Sequence, residues 1–185
     1  FLAAVSKARP KVADYPFTTL APNLGIVELP DFRTFAMADI PGIVEGAHEG
    51  RGLGLQFLRH IERTRTLALL VPVDAPDPGQ VYRELREELS SYSDELGARP
   101  HCVVLTKADL LGPDDDPPVL DAPEAWGVFT ISSVARKGLP TLLEALWSRI
   151  REVTEAEVAG GAAGGAAGEA ADGALDEDDE DWGTF

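Results

Sequence analysis

His101-Cys102-Val103-Val104-Leu105-Thr106-Lys107-Ala108-Asp109 joins a short apolar run to a charged tetrapeptide. The run from His101 to Leu105 reads as a short buried strand. The tetrapeptide T-K-A-D follows it directly, where a strand gives way to a loop. Upstream, Leu67 to Val73 is a second continuous apolar run, of the kind buried on both faces of a parallel sheet. Between the two lies Pro78 to Leu96, a charged helix with Val81, Leu85 and Leu89 at four-residue intervals and Gly97 as its C-terminal cap. Downstream, Gly112 to Pro123 is an acidic, proline-rich loop. Gly127 to Ile131 is a last strand, and Leu139 to Val153 a last helix. Strands that alternate with helices predict an α/β layered sheet with helical crossovers.

The N-terminal part extends the same pattern. Phe1 to Ser6 reads as the end of an amphipathic helix that Pro10 stops. Residues 9–23 form a loop punctuated by Pro16 and Pro22. Leu24 to Leu29 and Thr34 to Asp39 are candidate hairpin strands around a Pro30-Asp31-Phe32-Arg33 turn. Gly42, Gly46, Gly50, Gly52 and Gly54 mark a segment expected to be mobile. Leu55 to Arg65 returns to helical spacing, with Leu55, Leu58 and Ile61 on one face.

The chain has 185 residues, a net charge of −16 and 44% hydrophobic residues. That suits one ordinary domain plus a tail and excludes wholesale disorder. Residues 154–185 hold ten acids and no base, leaving a net charge of −6 on residues 1–153. Bulk capture of nucleic acid by net charge is therefore not indicated. The division expected is an ordered domain over residues 1–153 and an Ala/Gly-rich acidic tail over residues 154–185, read as disordered. Cys102 is the sole cysteine, which excludes an intramolecular disulfide and fits a reducing compartment. No apolar run approaches a membrane span, and no signal peptide opens the chain. Phe1 stands where an initiator Met would be and begins in mid-helix pattern, as expected of a piece of a longer protein.

Four segments carry chemistry. Asp39-Ile40-Pro41-Gly42 is a D-x-x-G at a strand end. Such an Asp can hold magnesium through a water, and the Gly lets a backbone N–H approach a terminal phosphate. Alone it reads better as an ordinary strand-to-loop turn. In Thr106-Lys107-Ala108-Asp109, the carboxylate can accept two parallel hydrogen bonds from the N1–H and N2–H₂ edge of guanine, a donor pair adenine lacks. The lysine stem can lie across the base. Alone, Asp109 could instead cap a helix start. Ser132-Ser133-Val134 follows the last strand, and its backbone N–H groups can contact guanine O6; alone it suits a turn with capping serines. Phe17-Thr18-Thr19-Leu20-Ala21 lies in the first loop, where a threonine hydroxyl can ligate magnesium when the loop closes over a γ-phosphate. Four accidents in this order and strand context are improbable. Together the segments favour a guanine-nucleotide switch.

Ala8 to Gly25, with Pro16-Phe17-Thr18-Thr19-Leu20-Ala21 at its centre, resembles the first switch region of the Obg GTPases. Ala38 to Ala47 and Gly52 to Thr64 resemble its second switch. The resemblance covers residues 1 to about 153. It implies a Ras-like P-loop fold: a three-layer sheet with helices on both faces, here lacking the first strand and the phosphate loop. It also implies binding and hydrolysis of GTP to GDP, a Mg2+ cofactor, a cytoplasmic location and a role in large ribosomal subunit assembly. By motif matching, Phe17, Thr18, Thr19, Leu20 and Ala21 would lie against the nucleotide, with Thr19 the magnesium ligand. Asp39, Ile40, Pro41 and Gly42 would meet the γ-phosphate and the magnesium shell. Thr106, Lys107, Ala108 and Asp109, with Ser132, Ser133 and Val134, would read the base.

The chain departs from that family in three ways. No G-x-x-x-x-G-K-[ST] segment occurs, Thr106 stands where the family usually has Asn, and the segment after Val153 is low in complexity. Position 43 is Ile, which has no polar group to orient an attacking water, so slow hydrolysis is expected and no catalytic residue is assigned. Glu45, His48 and Glu49 are nearby polar residues. Arg59, Arg63, Arg65, Lys7, Arg9 and Lys11 are candidates for a basic surface towards ribosomal RNA. The expected partners are guanine nucleotide and the large ribosomal subunit, with no membrane, and the expected state is a monomer. The alternative is a non-hydrolysing ribosome- or protein-binding module with a relic nucleotide site.

Overall fold

The computed structural model describes residues 1–6, 23–39 and 64–164. Helix α1 (Leu2–Val5) precedes strands β1 (Asn23–Glu28) and β2 (Thr34–Asp39). Strand β3 (Leu67–Pro72) leads into α2 (Pro78–Tyr92) and the short α3 (Asp94–Gly97). Strand β4 (His101–Thr106), a 3-10 turn (Ala108–Leu110), β5 (Val128–Thr130) and α4 (Leu139–Gly164) complete the order.

β1 and β2 form an antiparallel hairpin, with Leu24 opposite Ala38 and Val27 opposite Phe35. Its turn works because Asp31 and Phe32 both take positive φ, 63° and 59°, the backbone that matches strand twist in a tight hairpin. The other three strands form a parallel sheet in the order β3-β4-β5. The α/β class expected from the alternation is therefore what the chain adopts.

The two faces of β4 follow from the period of two along a strand. Cys102 and Val104 point to one side, where they pack with Val27, Ile131 and the α4 residues Leu139, Leu142, Leu143 and Leu146. Val103 and Leu105 point to the other, where they meet Leu67, Leu69, Val71 and the α2 residues Tyr82 and Leu89. β4 is thus covered on both faces, as its unbroken apolar run predicts, and each fully buried Val contributes about 1.5–3 kcal/mol. The hairpin joins the α4 side. Arg33 donates from both terminal nitrogens to the Glu144 carboxylate at 2.8 Å, and its guanidinium lies 5.9 Å over Trp147. That bond holds the Glu144 carboxyl below its usual range.

Two boundaries differ from expectation. The helix predicted from Pro78 to Leu96 breaks at Ser93, whose backbone turns extended and whose hydroxyl accepts the Leu96 N–H at 3.0 Å to start α3. Gly97 is the last residue of α3 rather than the cap of one long helix. A side chain there would press on Ser90, with its Cβ 2.7 Å from Oγ. The last helix also continues beyond Val153, to Gly164, so the first part of the expected tail is helical. Thr154 Oγ1 donates back to the Ile150 carbonyl at 2.8 Å, Arg151 pairs with Glu155, and Arg65 pairs with Glu157 across from the β3 entry. The alanines of the extension favour it through helix propensity and the Arg151–Glu155 pair adds to this, while Gly160, Gly161 and Gly164 oppose it.

Candidate functional site

Parallel strands end at one edge of the sheet, so the loops after β3, β4 and β5 are neighbours there. At the end of β4 the chain does not continue extended. Lys107 takes a left-handed backbone, φ 62° and ψ 33°, and turns it into the 3-10 segment. A non-glycine residue in that region costs on the order of 1 kcal/mol or more and needs surrounding structure to hold it. Three bonds do so. The Thr106 carbonyl accepts from Val73 N–H at 3.0 Å, Ala108 N–H donates to the Ile131 carbonyl at 3.0 Å, and Lys107 Nζ donates to Asp74.

Asp109 sits inside the 3-10 turn with no capping bond, so its carboxylate is not spent on a helix start. One oxygen, Oδ1, accepts from the Ser132 hydroxyl. Ser132 is fully buried, and its Oγ also accepts the Ala135 N–H at 2.9 Å. The Ser132 and Lys137 backbones exchange two hydrogen bonds at 3.0 and 3.1 Å, closing a small loop. That loop presents Ser133 and a Val134 that is 86% exposed. The edge therefore offers an exposed carboxylate, a lysine stem and a tight loop, a combination suited to a flat polar ring edge with a donor pair.

The expected base-reading residues, Thr106 to Asp109 and Ser132 to Val134, are brought together. Asp39 ends β2 with an exposed side chain. Ile40, Pro41, Gly42, Ile43 and Phe17 to Ala21, with the magnesium candidate Thr19, lie outside the described residues, as do Glu45, His48, Glu49, Lys7, Arg9, Lys11, Arg59 and Arg63. Arg65 is paired with Glu157 at 3.1 Å. Among the described residues no group of three or more His, Cys, Asp or Glu could hold a metal ion, and no helix is long and apolar enough to cross a membrane.

Sequence reasoning missed two features. Asp74, just beyond β3, engages Lys107; a carboxylate at a strand's carboxyl end was the only signal for it. Ser132, expected to act through its backbone or as a capping serine, takes the Ala135 N–H on its Oγ and in addition donates its hydroxyl to Asp109.

A parallel sheet with helices on both faces and these loops at its carboxyl edge is the architecture that P-loop GTPase domains share with other nucleotide-binding α/β folds. The cytosolic domain of L. pneumophila FeoB shares the fold, with a TM-score of 0.50 and 14% identity over 80% of this chain and 57% of that one. A family model described as 50S ribosome-binding GTPase matches residues 1–107. GTPase Obg of Chlorobium chlorochromatii (strain CaD3) is 56% identical over 147 residues, 79% of this chain and 43% of that protein. GTPase Obg of Chlorobium phaeovibrioides (strain DSM 265 / 1930) is 53% identical over 149 residues, 80% of this chain and 44% of that protein. The chain belongs to the Obg family of 50S ribosome-binding GTPases. It spans less than half the length of these two relatives.

Proposed function

We propose that this chain is the base-reading part of a GTPase that binds GTP and GDP and hydrolyses GTP slowly. The observation that carries the reading is the Asp109 carboxylate. It is exposed at the sheet edge, fixed on one side by buried Ser132, and left with acceptor capacity for two ring donors. Guanine offers N1–H and N2–H₂ side by side. Xanthine replaces the amine with a carbonyl, which an ionised carboxylate repels.

Asp39 and Thr19 would supply hard oxygen donors, a carboxylate and a hydroxyl, and that chemistry suits Mg2+ with retained waters. Magnesium bound there would neutralise phosphate charge. Phe17 to Ala21 and Asp39 to Gly42 would line the phosphate end of the nucleotide. The family description, 50S ribosome-binding GTPase, supports a role with the large ribosomal subunit. Assembly of that subunit in the cytoplasm is what the resemblance to the Obg GTPases implies.

The test uses the intact polypeptide. GTP should be preferred over XTP by roughly a hundredfold or more, and Asp109→Asn should reverse the preference, because an amide N–H can donate to the xanthine carbonyl. Magnesium-dependent, multiple-turnover phosphate release should vanish in Asp109→Ala. Equal uptake of XTP and GTP by the unaltered protein would overturn the reading. Ribosome binding indifferent to GTP or GDP, without phosphate release, would instead support a non-hydrolysing module, a reading that Ile43 after D-x-x-G favours.

A further inference from the structure

Lys107 Nζ donates to both carboxylate oxygens of Asp74, at 2.9 and 3.0 Å. The pair spans the ends of two neighbouring strands. Pro72 is opposite Thr106 in the parallel register, so the residues just beyond them emerge side by side. Both side chains remain about half exposed, at 52% for Lys107 and 42% for Asp74. Ion pairs so exposed contribute little to stability. The pair is therefore of small use to the fold, but it fixes a direction. A lysine has four rotatable carbons and a freely rotating head, and the left-handed backbone at Lys107 sets only where that stem begins.

The other end of the tetrapeptide is held in a matching way. Ser132, from the loop after β5, grips Asp109. The T-K-A-D segment is thus drawn between a clamp from β3's side and a clamp from β5's side. One clamp orients the carboxylate that meets the base edge. The other draws the lysine ammonium towards β3, which stretches its methylene stem along the same sheet edge.

We propose that Asp74 is a positioning residue for guanine-nucleotide binding: it holds the Lys107 stem where the flat face of the base will lie. This inference rests on the guanine reading above. Fixing the stem before the ligand arrives removes an ordering cost from the binding step, so affinity rises without any contact between Asp74 and the ligand. Base selectivity stays with Asp109.

The experiment is a double-mutant cycle on the intact protein, with a fluorescent GDP analogue as probe and competition by GDP and XDP. Asp74→Asn should weaken the analogue about tenfold, and Asp74→Glu should recover most of the loss. Lys107→Ala should weaken it at least as much, and the double variant should be no weaker than Lys107→Ala alone. The ratio of GDP to XDP affinity should stay unchanged in Asp74→Asn. An Asp74→Asn loss that persists in full in the Lys107→Ala background would overturn the inference, because Asp74 would then act independently of Lys107. So would an Asp74→Asn affinity equal to that of the unaltered protein while guanine preference is intact, an outcome that leaves the guanine reading standing. Absence of guanine preference in the unaltered protein would sink that reading, and the inference with it.

Discussion

Replacing Gly138 by Ala tests how tightly the carboxyl edge is built. Gly138 has a φ of +72°, follows the closed Ser132–Lys137 loop, and accepts the Leu142 N–H at the start of α4. A Cβ there would lie 2.2 Å from the Thr130 carbonyl oxygen, with Ile131 Cγ2 and Cα at 3.2 and 3.3 Å. The nearest of these atoms is backbone at the end of β5, so no flexible side chain can swing aside. Left-handed backbone costs an L-residue about 1–2 kcal/mol, and forcing backbone to shift in packed structure adds about 1–3 kcal/mol. Gly138→Ala should therefore lower stability by about 3 kcal/mol. Gly79→Ala is the matched control. Its Cβ would meet Asp77 Oδ1 at 3.2 Å and Arg83 Nη1 at 3.3 Å, side-chain atoms rather than backbone, in the first turn of α2. There the Asp77 carboxylate keeps its capping bond from the Gln80 N–H by giving a few tenths of an ångström. Helix propensity favours Ala over Gly by up to about 1 kcal/mol, so that variant should be neutral or more stable. Urea unfolding followed by circular dichroism measures both. A Gly138→Ala loss under about 1 kcal/mol, or equal effects at the two sites, would refute the reasoning.

Leu142 is fully buried among Val104, Ile131 and Leu139, so Leu142→Ala should cost about 2–5 kcal/mol, read as a fall in Tm. Cys102 is fully buried, and desolvation pushes its thiol up to about 12, so a thiol reagent at neutral pH should label it only as fast as the chain opens. Labelling of the native protein at the rate of an exposed thiol would contradict its placement. His101 is buried against the Tyr82 hydroxyl at 2.9 Å, and desolvation, with the Arg86 charge, lowers its pKa below the ordinary 6.5. The unfolded chain then binds a proton that the folded one resists. Stability from this residue is full above pH 6.5 and is lost as pH falls through the lowered folded pKa. His101→Asn should flatten that part of the stability-against-pH curve, and an unchanged slope would assign it to other groups.

Much of the fold is legible in local sequence because period and punctuation are local properties. The unbroken apolar runs at Leu67 and His101 read as strands; β4 is covered on both faces as expected, whereas β3 leaves Leu70 39% exposed, and the hairpin followed from its turn residues. The break at Ser93 was not legible. Its spacing continues the helix, and the decision lies in whether a serine hydroxyl caps inward or faces water. The end of α4 was misjudged for a similar reason. Ala-rich composition reads as low complexity, whereas Glu157 finds Arg65 from a distant part of the chain.

The base-reading motifs were visible because the chemistry needs fixed residue types at fixed spacing. By itself, the order of residues determined which groups stand at the ends of β4 and β5, and so which family the chain resembles. Only the tertiary structure decided that Asp74 meets Lys107 and that the Ser132 hydroxyl meets Asp109, pairs separated by 33 and 23 residues. The physical reason is register. Parallel pairing of β3 with β4 and β4 with β5 sets which loop residues lie abreast, and that pairing is a property of the whole sheet, which no single segment encodes.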